Sequence, residues 1–281
     1  MTAIRSAIRP AIRSAIRSAI RSSGGTTVWD PSQLFLLGEP GAWYDPSDLS
    51  TMFQDSAGTT PVTAAGQTVG KILDKSGRGN HATQATASKR PQYQTDGTYH
   101  WLQFDGTDDA LVTAAFSMAS TPKSTVFSGI TNNQPSSYGI FYTFGSNPIA
   151  TDGSFGLYSY IASQGDYAPA IKGTVQYYAK TTGASIPRLN VLTAKYDLLA
   201  SPYANCVLLR LDGSNAPLTF VAGGAPNASG FGTWPIYIGS RGDNTAYLNG
   251  KIYSLIVLGR LATTQEITDT ENWINQRTGA Y

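Results

Sequence analysis

Asp105, Asp108 and Asp109 form the densest acidic cluster of the chain, within the run Leu102-Gln103-Phe104-Asp105-Gly106-Thr107-Asp108-Asp109. Carboxylates this close can work as an acid and base pair, or can accept backbone N–H groups in a tight turn. They could also hold calcium, which takes roughly six to eight oxygens and tolerates irregular loops. Their place directly after a β-prone run, around Gly106, favours the turn, and calcium is the one cofactor they leave open. The two histidines, His81 and His100, lie 19 positions apart with no cysteine near either. That spacing specifies neither a zinc site nor a Ser-His-Asp arrangement, and His81, in a glycine-rich stretch, reads as structural. The single cysteine, Cys206, excludes an internal disulfide framework, and its neighbours Val207-Leu208-Leu209 suit a buried thiol.

Sugar recognition uses exposed aromatic faces beside amides and carboxylates. Tyr158, Tyr160, Tyr177, Tyr178 and Trp234 are the candidates for it, against a competing reading as sheet packing or a subunit interface. Adjacent residues of a strand point to opposite faces, so at least one of Tyr177 and Tyr178 must face away from the core. Arg241-Gly242-Asp243 matches an integrin-binding tripeptide but reads as a loop, and Asn227-Ala228-Ser229 accepts a glycan only in a chain secreted by a eukaryote.

The elements that must position these residues are short strands. Runs at 101–104, 125–127, 140–144, 155–160, 174–178, 189–194, 207–211, 235–239 and 250–258 are β-prone, and most are followed by Gly, Pro, Asn or Asp. The pair 101–104 and 110–112, joined through Asp105-Gly106 and Asp108-Asp109, carries a hairpin signature. One helix is predicted, opening with the capping box Thr263-Thr264-Gln265-Glu266, running through Ile267 and Ile274, and ending at Gly279. Aspartate outnumbers glutamate 15 to 3, a balance that favours turns over helices. No stretch reaches the roughly 20 apolar residues of a membrane-spanning helix. Strands at this spacing predict an all-β fold, an antiparallel two-sheet jelly-roll sandwich with one short C-terminal helix, preceded by an extended arm.

The arm is a strict tetrapeptide repeat. Residues 3–22 read AIRS-AIRP-AIRS-AIRS-AIRS, with Ile4, Ile8, Ile12, Ile16 and Ile20 in register and Arg5, Arg9, Arg13, Arg17 and Arg21 beside them. An extended chain places every Ile on one face and every Arg on the other, whereas Pro10 would break a helix. With only Ile and Ala to bury, the arm cannot pack a core alone, so it reads as an anchoring and oligomerisation element, with a disordered basic tail as the competing reading. Its arginines interrupt the apolar residues throughout, unlike a secretory signal, and no aromatics interleave to stack on bases, which disfavours nucleic acid as the partner. The body beyond it carries 15 basic against 18 acidic residues. The organisation expected is an arm at 1–25, a linker and entry segment at 26–39, and a single domain at 40–281.

Four segments carry a family resemblance: 42–50 with Phe53-Gln54-Asp55; the glycine-rich 73–82 with Arg90-Pro91; 102–109; and 248–252 through 256–258 to Glu266. Together they resemble the laminin-G-like, concanavalin-A-like jelly-roll domains of bacteriophage and prophage virion proteins. The resemblance implies a glycan-binding, adhesive or structural module, and it allows calcium without assigning ligands. A hydrolase of that superfamily would carry two acids on one strand, spaced as Glu-x-Asp-x-x-Glu. Here the only glutamates are Glu39, Glu266 and Glu271, so the expectation is a chain that is not an enzyme. The reading is a structural protein at the virion surface, of decoration, fibre or receptor-binding type. Its arm would hold it to other virion proteins, a homotrimer is expected, and the jelly roll would meet host-surface glycans. The alternative is a secreted carbohydrate-binding module or polysaccharide-active enzyme. Light scattering tests the arm: the full chain should give a defined oligomer and the chain lacking residues 1–25 a monomer, and equal masses would count against the arm as an assembly device.

Overall fold

The computed structural model describes residues 28–133, 138–160, 166–182 and 187–281. The anchoring residues Ile4, Arg5, Ile8, Arg9, Ile12, Arg13, Ile16, Arg17, Ile20 and Arg21 lie outside them. The compact unit Pro31–Tyr281 holds the sandwich. Its first turn, Pro31–Phe35, already buries Leu34 and Phe35.

In chain order the strands are β1 (Gly41–Tyr44), β2 (Met52–Phe53), β3 (Lys71–Ile72), β4 (Ala82–Thr83), β5 (Gln92–Thr95), β6 (His100–Asp105), β7 (Leu111–Thr113), β8 (Phe116–Ser117), β9 (Lys123–Asn132) and β10 (Gly139–Phe144). They continue as β11 (Ser154–Tyr160), β12 (Asp166–Lys172), β13 (Gln176–Lys180), β14 (Arg188–Asp197), β15 (Val207–Leu211), β16 (Ser214–Ala216), β17 (Thr219–Gly223), β18 (Thr233–Trp234), β19 (Ile236–Ile238) and β20 (Asn249–Leu258). The helix, α1, is Thr264–Thr278.

Two antiparallel sheets make the sandwich. The first runs β16-β15-β14-β9-β20-β6-β5, with β1 also pairing β20; the second runs β17-β13-β12-β11-β10-β19-β7-β4-β3-β2. Alternation along each strand sends one set of side chains inward. Val126, Ile130, Leu192, Ala194 and Leu255 of the first sheet share one buried cluster with Phe141, Phe155, Leu157, Tyr167 and Ile171 of the second. Each large side chain so buried contributes roughly 1.5–3 kcal/mol.

The core is not wholly apolar, and its polar groups join the sheets. Tyr142 and Tyr196 share a hydroxyl hydrogen bond of 3.0 Å, and Tyr196 Oη donates to the Gly156 carbonyl at 2.8 Å. Tyr167 Oη donates to Asn190 Oδ1 at 2.9 Å, and Asn132 Nδ2 to Ser159 Oγ at 2.9 Å. Buried polar groups must be paired, and these pairs also fix which residue of one sheet faces which of the other.

The expected hairpin between 101–104 and 110–112 is not formed. β6 pairs with β5 and β20 in the first sheet, whereas β7 pairs with β4 and β19 in the second. The aspartate turn carries the chain across the core instead of folding it back on itself. β12 carries no turn-bounded apolar run, because Pro169 stands at its centre. Proline lacks the ladder N–H, yet here it occupies an inner strand, opposite Leu157.

The helix forms where the capping box placed it. Thr263 accepts from the Glu266 N–H at 3.2 Å, the Glu266 carboxylate accepts from the Thr263 N–H at 2.7 Å, and Gly279 ends the helix at φ 63°. α1 lies on β14, β9 and β20, covering part of the outer face of the first sheet. No helix among the described residues is long and apolar enough to cross a membrane. Gly129 of β9 makes the close approach of α1: a Cβ there would stand 2.6 Å from Thr278 Cγ2 and 2.9 Å from Ile274 Cγ2. Gly129→Ala should therefore lower stability by about 1–3 kcal/mol, read as a lower denaturant midpoint with an unchanged slope.

Candidate functional site

α1 sits on the first sheet, and the outer face of the second carries a small side-chain cluster of its own, Ile140, Tyr158, Ala168, Ala170 and Ala246. Register builds it. On that face Ile140 of β10 stands opposite Tyr158 of β11, and Tyr158 opposite Ala168 of β12. On the far side of β12, Ala170 stands opposite Tyr178 of β13. Ala168 makes a low floor between the two tyrosines, while Ala170 is fully buried in a cluster with Ile140 and Ala246. The result is a cleft of about 90 Å3 lined by Tyr138, Ile149, Tyr158, Ala168, Tyr178 and Arg241.

The rings of Tyr138 and Tyr158 meet edge to face, with centroids 6.3 Å apart. Burial pushes the Tyr158 hydroxyl well above its ordinary range, an effect the neighbouring Arg241 charge partly offsets. Tyr158 Oη is buried and has no hydrogen-bond partner among the described residues. Arg241 is held at the rim: Nε donates to Asp243 Oδ1 at 2.8 Å, and Nη2 donates to Thr245 Oγ1. Asp243, whose carboxyl lies below its ordinary range despite some burial, is held there by hydrogen bonds from Arg241 and Thr245. The tripeptide Arg241-Gly242-Asp243 is thus a turn closed on itself, and its arginine serves the cleft.

The five aromatic candidates separate. Tyr158 and Tyr178 meet at the cleft. Tyr177, the inward neighbour of Tyr178, is buried in the main core and packs against Phe220 and Tyr203, so it is not available on this face. Trp234 lies apart, its Nε1 donating to the Asp152 carbonyl at 3.0 Å and its ring against the core. Tyr160 belongs to β11, and its side chain lies outside the described residues. Sequence reasoning did not select Tyr138, Ile149, Ala168 or Arg241. Nothing marks an alanine as a floor until the strand order is known.

Asp105, Asp108 and Asp109 do come together, with carboxylate oxygens within 4.8 Å of one another. The turn uses them: Asp105 Oδ1 accepts from Thr107 N at 2.8 Å, and Asp109 Oδ2 accepts from Asp105 N at 3.1 Å. Cys206 is buried, and desolvation pushes its thiol up to about 12, which keeps it an inert core group. The three glutamates are bound in ion pairs: Glu39 and Glu266 with Arg260, and Glu271 with Arg210.

No protein-family model matches the chain, and no curated protein matches it. Solved structures share its fold. The receptor-binding domain of botulinum neurotoxin D is 10% identical with a TM-score of 0.53, over 72% of this chain and 50% of that one. The ligand-binding domain of the serotype D toxin in complex with N-acetylneuraminic acid is 11% identical with a TM-score of 0.50, over 72% and 48%. Trypanosoma rangeli sialidase is 12% identical with a TM-score of 0.52, over 96% of this chain and 39% of that one. The chain therefore spans half or less of these chains, and the likeness defines its class as a β-sandwich. It also corrects one expectation. The reading of the chain as not an enzyme does not stand, because the same fold occurs in a sialidase.

The aspartate turn gives a pH test. Burial, then repulsion from Asp105, raises the Asp109 carboxyl from 3.8 to about 6. A folded-state value above the unfolded one favours the protonated form, so this group's contribution is full below about pH 4 and is lost as pH rises through about 6. Asp109→Asn keeps an acceptor for the Asp105 N–H. It should flatten the stability profile between pH 4 and 7 and raise stability at pH 7 by ~1–2 kcal/mol, measured by urea denaturation across that range.

Proposed function

We propose that the sandwich is a carbohydrate-binding module whose ligand lies over the alanine-floored cleft of the second sheet. The observation that carries this is the convergence of Tyr138, Tyr158 and Tyr178 with Arg241 around Ala168. Tyrosine faces cover the apolar face of a sugar ring, and the Arg241–Asp243 pair at the rim offers donors and acceptors to its hydroxyls. The low floor has room for a ring edge or an acyl methyl. The botulinum toxin domain of the same fold, solved with N-acetylneuraminic acid, makes that sugar the first probe.

The tetrapeptide arm supports a second reading, in which the module is carried on a bacteriophage virion. The Ile and Arg repeat would hold a trimer to other virion proteins, and the cleft would face host-surface glycans.

A glycan array followed by ligand-observed NMR with N-acetylneuraminic acid tests the binding reading. Ala168→Leu fills the floor and Arg241→Ala removes the rim cation, and each should weaken binding at least ~10-fold. Failure of the chain to retain any glycan, or undiminished binding by a folded Ala168→Leu variant, would refute it.

A further inference from the structure

A second cleft, of about 240 Å3, opens on the outer face of the first sheet, lined by Lys195, Asp197, Ala200, Ser201, Asn205, Leu208 and Leu261. Lys195 of β14 stands between Leu208 of β15 and Thr125 of β9 on the adjoining strands. The nearby charges are matched with one another. Asp197 Oδ2 pairs with Lys123 Nζ at 2.9 Å, and Arg210 pairs with Glu271 at 2.8 Å. Thr125 Oγ1 donates to the Arg260 carbonyl and accepts from the Ala262 N–H. Lys195 makes no hydrogen bond or ion pair among the described residues. Its side chain is half-buried, and desolvation, then the Arg210 charge, lowers its pKa, an effect the Glu271 carboxylate partly offsets. A half-buried cation that no side chain bonds directly gains from an anion that joins it in the cleft.

We propose that this cleft binds a small monocarboxylate carrying a short apolar body, with its carboxylate on the Lys195 ammonium and its body against Leu208 and Leu261. Charge sets the class. One unmatched positive charge calls for one negative charge, and a dianion such as phosphate would set its second charge beside Asp197. The walls set the rest: Leu208 is 44% exposed and Leu199, at the neighbouring turn, 55%, so apolar surface there gains by being covered. Ser201 and Asn205 supply hydroxyl and amide groups within the same lining. This site lies on the sheet opposite the tyrosine cleft and does not rest on the sugar reading.

Ligand-observed NMR titration of the full chain with butyrate, its neutral counterpart butyramide, and inorganic phosphate as competitor tests the site. Butyrate should bind saturably and at least ~10-fold more tightly than butyramide. Lys195→Gln should abolish that difference, Ala168→Leu should leave it intact, and phosphate should not displace butyrate. Equal binding of butyrate and butyramide to the unmodified chain would overturn the proposal without recourse to a variant. So would full binding by folded Lys195→Gln, or displacement by phosphate at matched concentration. Because the probe is no sugar, its failure leaves the tyrosine cleft untouched.

Discussion

The buried carboxylate of Glu271 decides how the two faces of the sandwich are used. It is 3% exposed and accepts from Arg210 Nε at 2.8 Å, Arg210 Nη2 at 3.0 Å and Thr193 Oγ1 at 2.8 Å. A charge this deep is tolerated only when its lone pairs are used, and removing one partner costs about 3–5 kcal/mol. Since Thr193 is on β14 and Arg210 on β15, the interaction admits one seat for α1, on the first sheet. Trp273 then meets Trp43 of β1 edge on at 5.6 Å, and Gly129 allows the final turn to settle. Everything outside that footprint follows. The outer face of the second sheet carries the tyrosine cleft, and the part of the first sheet beyond the helix keeps Lys195.

The helix and the strands β6, β7, β9, β10, β11, β13, β14, β15, β19 and β20 were legible in the sequence because their signals are local. Thr263, Glu266 and Gly279 each satisfy backbone groups within one turn, so no tertiary knowledge is needed to place them. The partner of β6 was not legible. Asp105-Gly106 and Asp108-Asp109 are compatible both with folding back and with crossing between sheets, and the choice falls to β20, which pairs Asn249 through Ile252 with β6. β12 was hidden for a different reason. Its central proline speaks against an inner strand, and only neighbours on both sides, β11 and β13, hold it extended.

The tyrosine cleft shows the same limit more sharply. Strand alternation separates Tyr177 from Tyr178 at once, and the structure puts Tyr177 inward. It does not reveal that Tyr178 and Tyr158 flank a common floor, since that depends on β12 lying between their strands with Ala168 and Ala170 outward. The concavity at Ala168 is made by what that side chain lacks. Motif reading looks for groups that do something, and so passes over an alanine that makes room.

Charge pairing connects the sandwich to its two clefts. Asp74 accepts from Trp43 N, Ser76 N, Ser76 Oγ and Asn80 N, closing the glycine-rich loop over β1. Asp166 pairs with Lys180, and Glu39 and Glu266 share Arg260. Against these answered acids, Asp109 and Lys195 stand out among the described residues. At Asp109 like charges crowd and the carboxyl holds its proton to higher pH, a cost confined to a turn that needs its acceptors. At Lys195 a cation stands in a roomy, half-apolar cleft with no local need for it. A structural account suffices for the aspartate, whose oxygens are used, and does not for the lysine, whose ammonium makes no hydrogen bond or ion pair among the described residues.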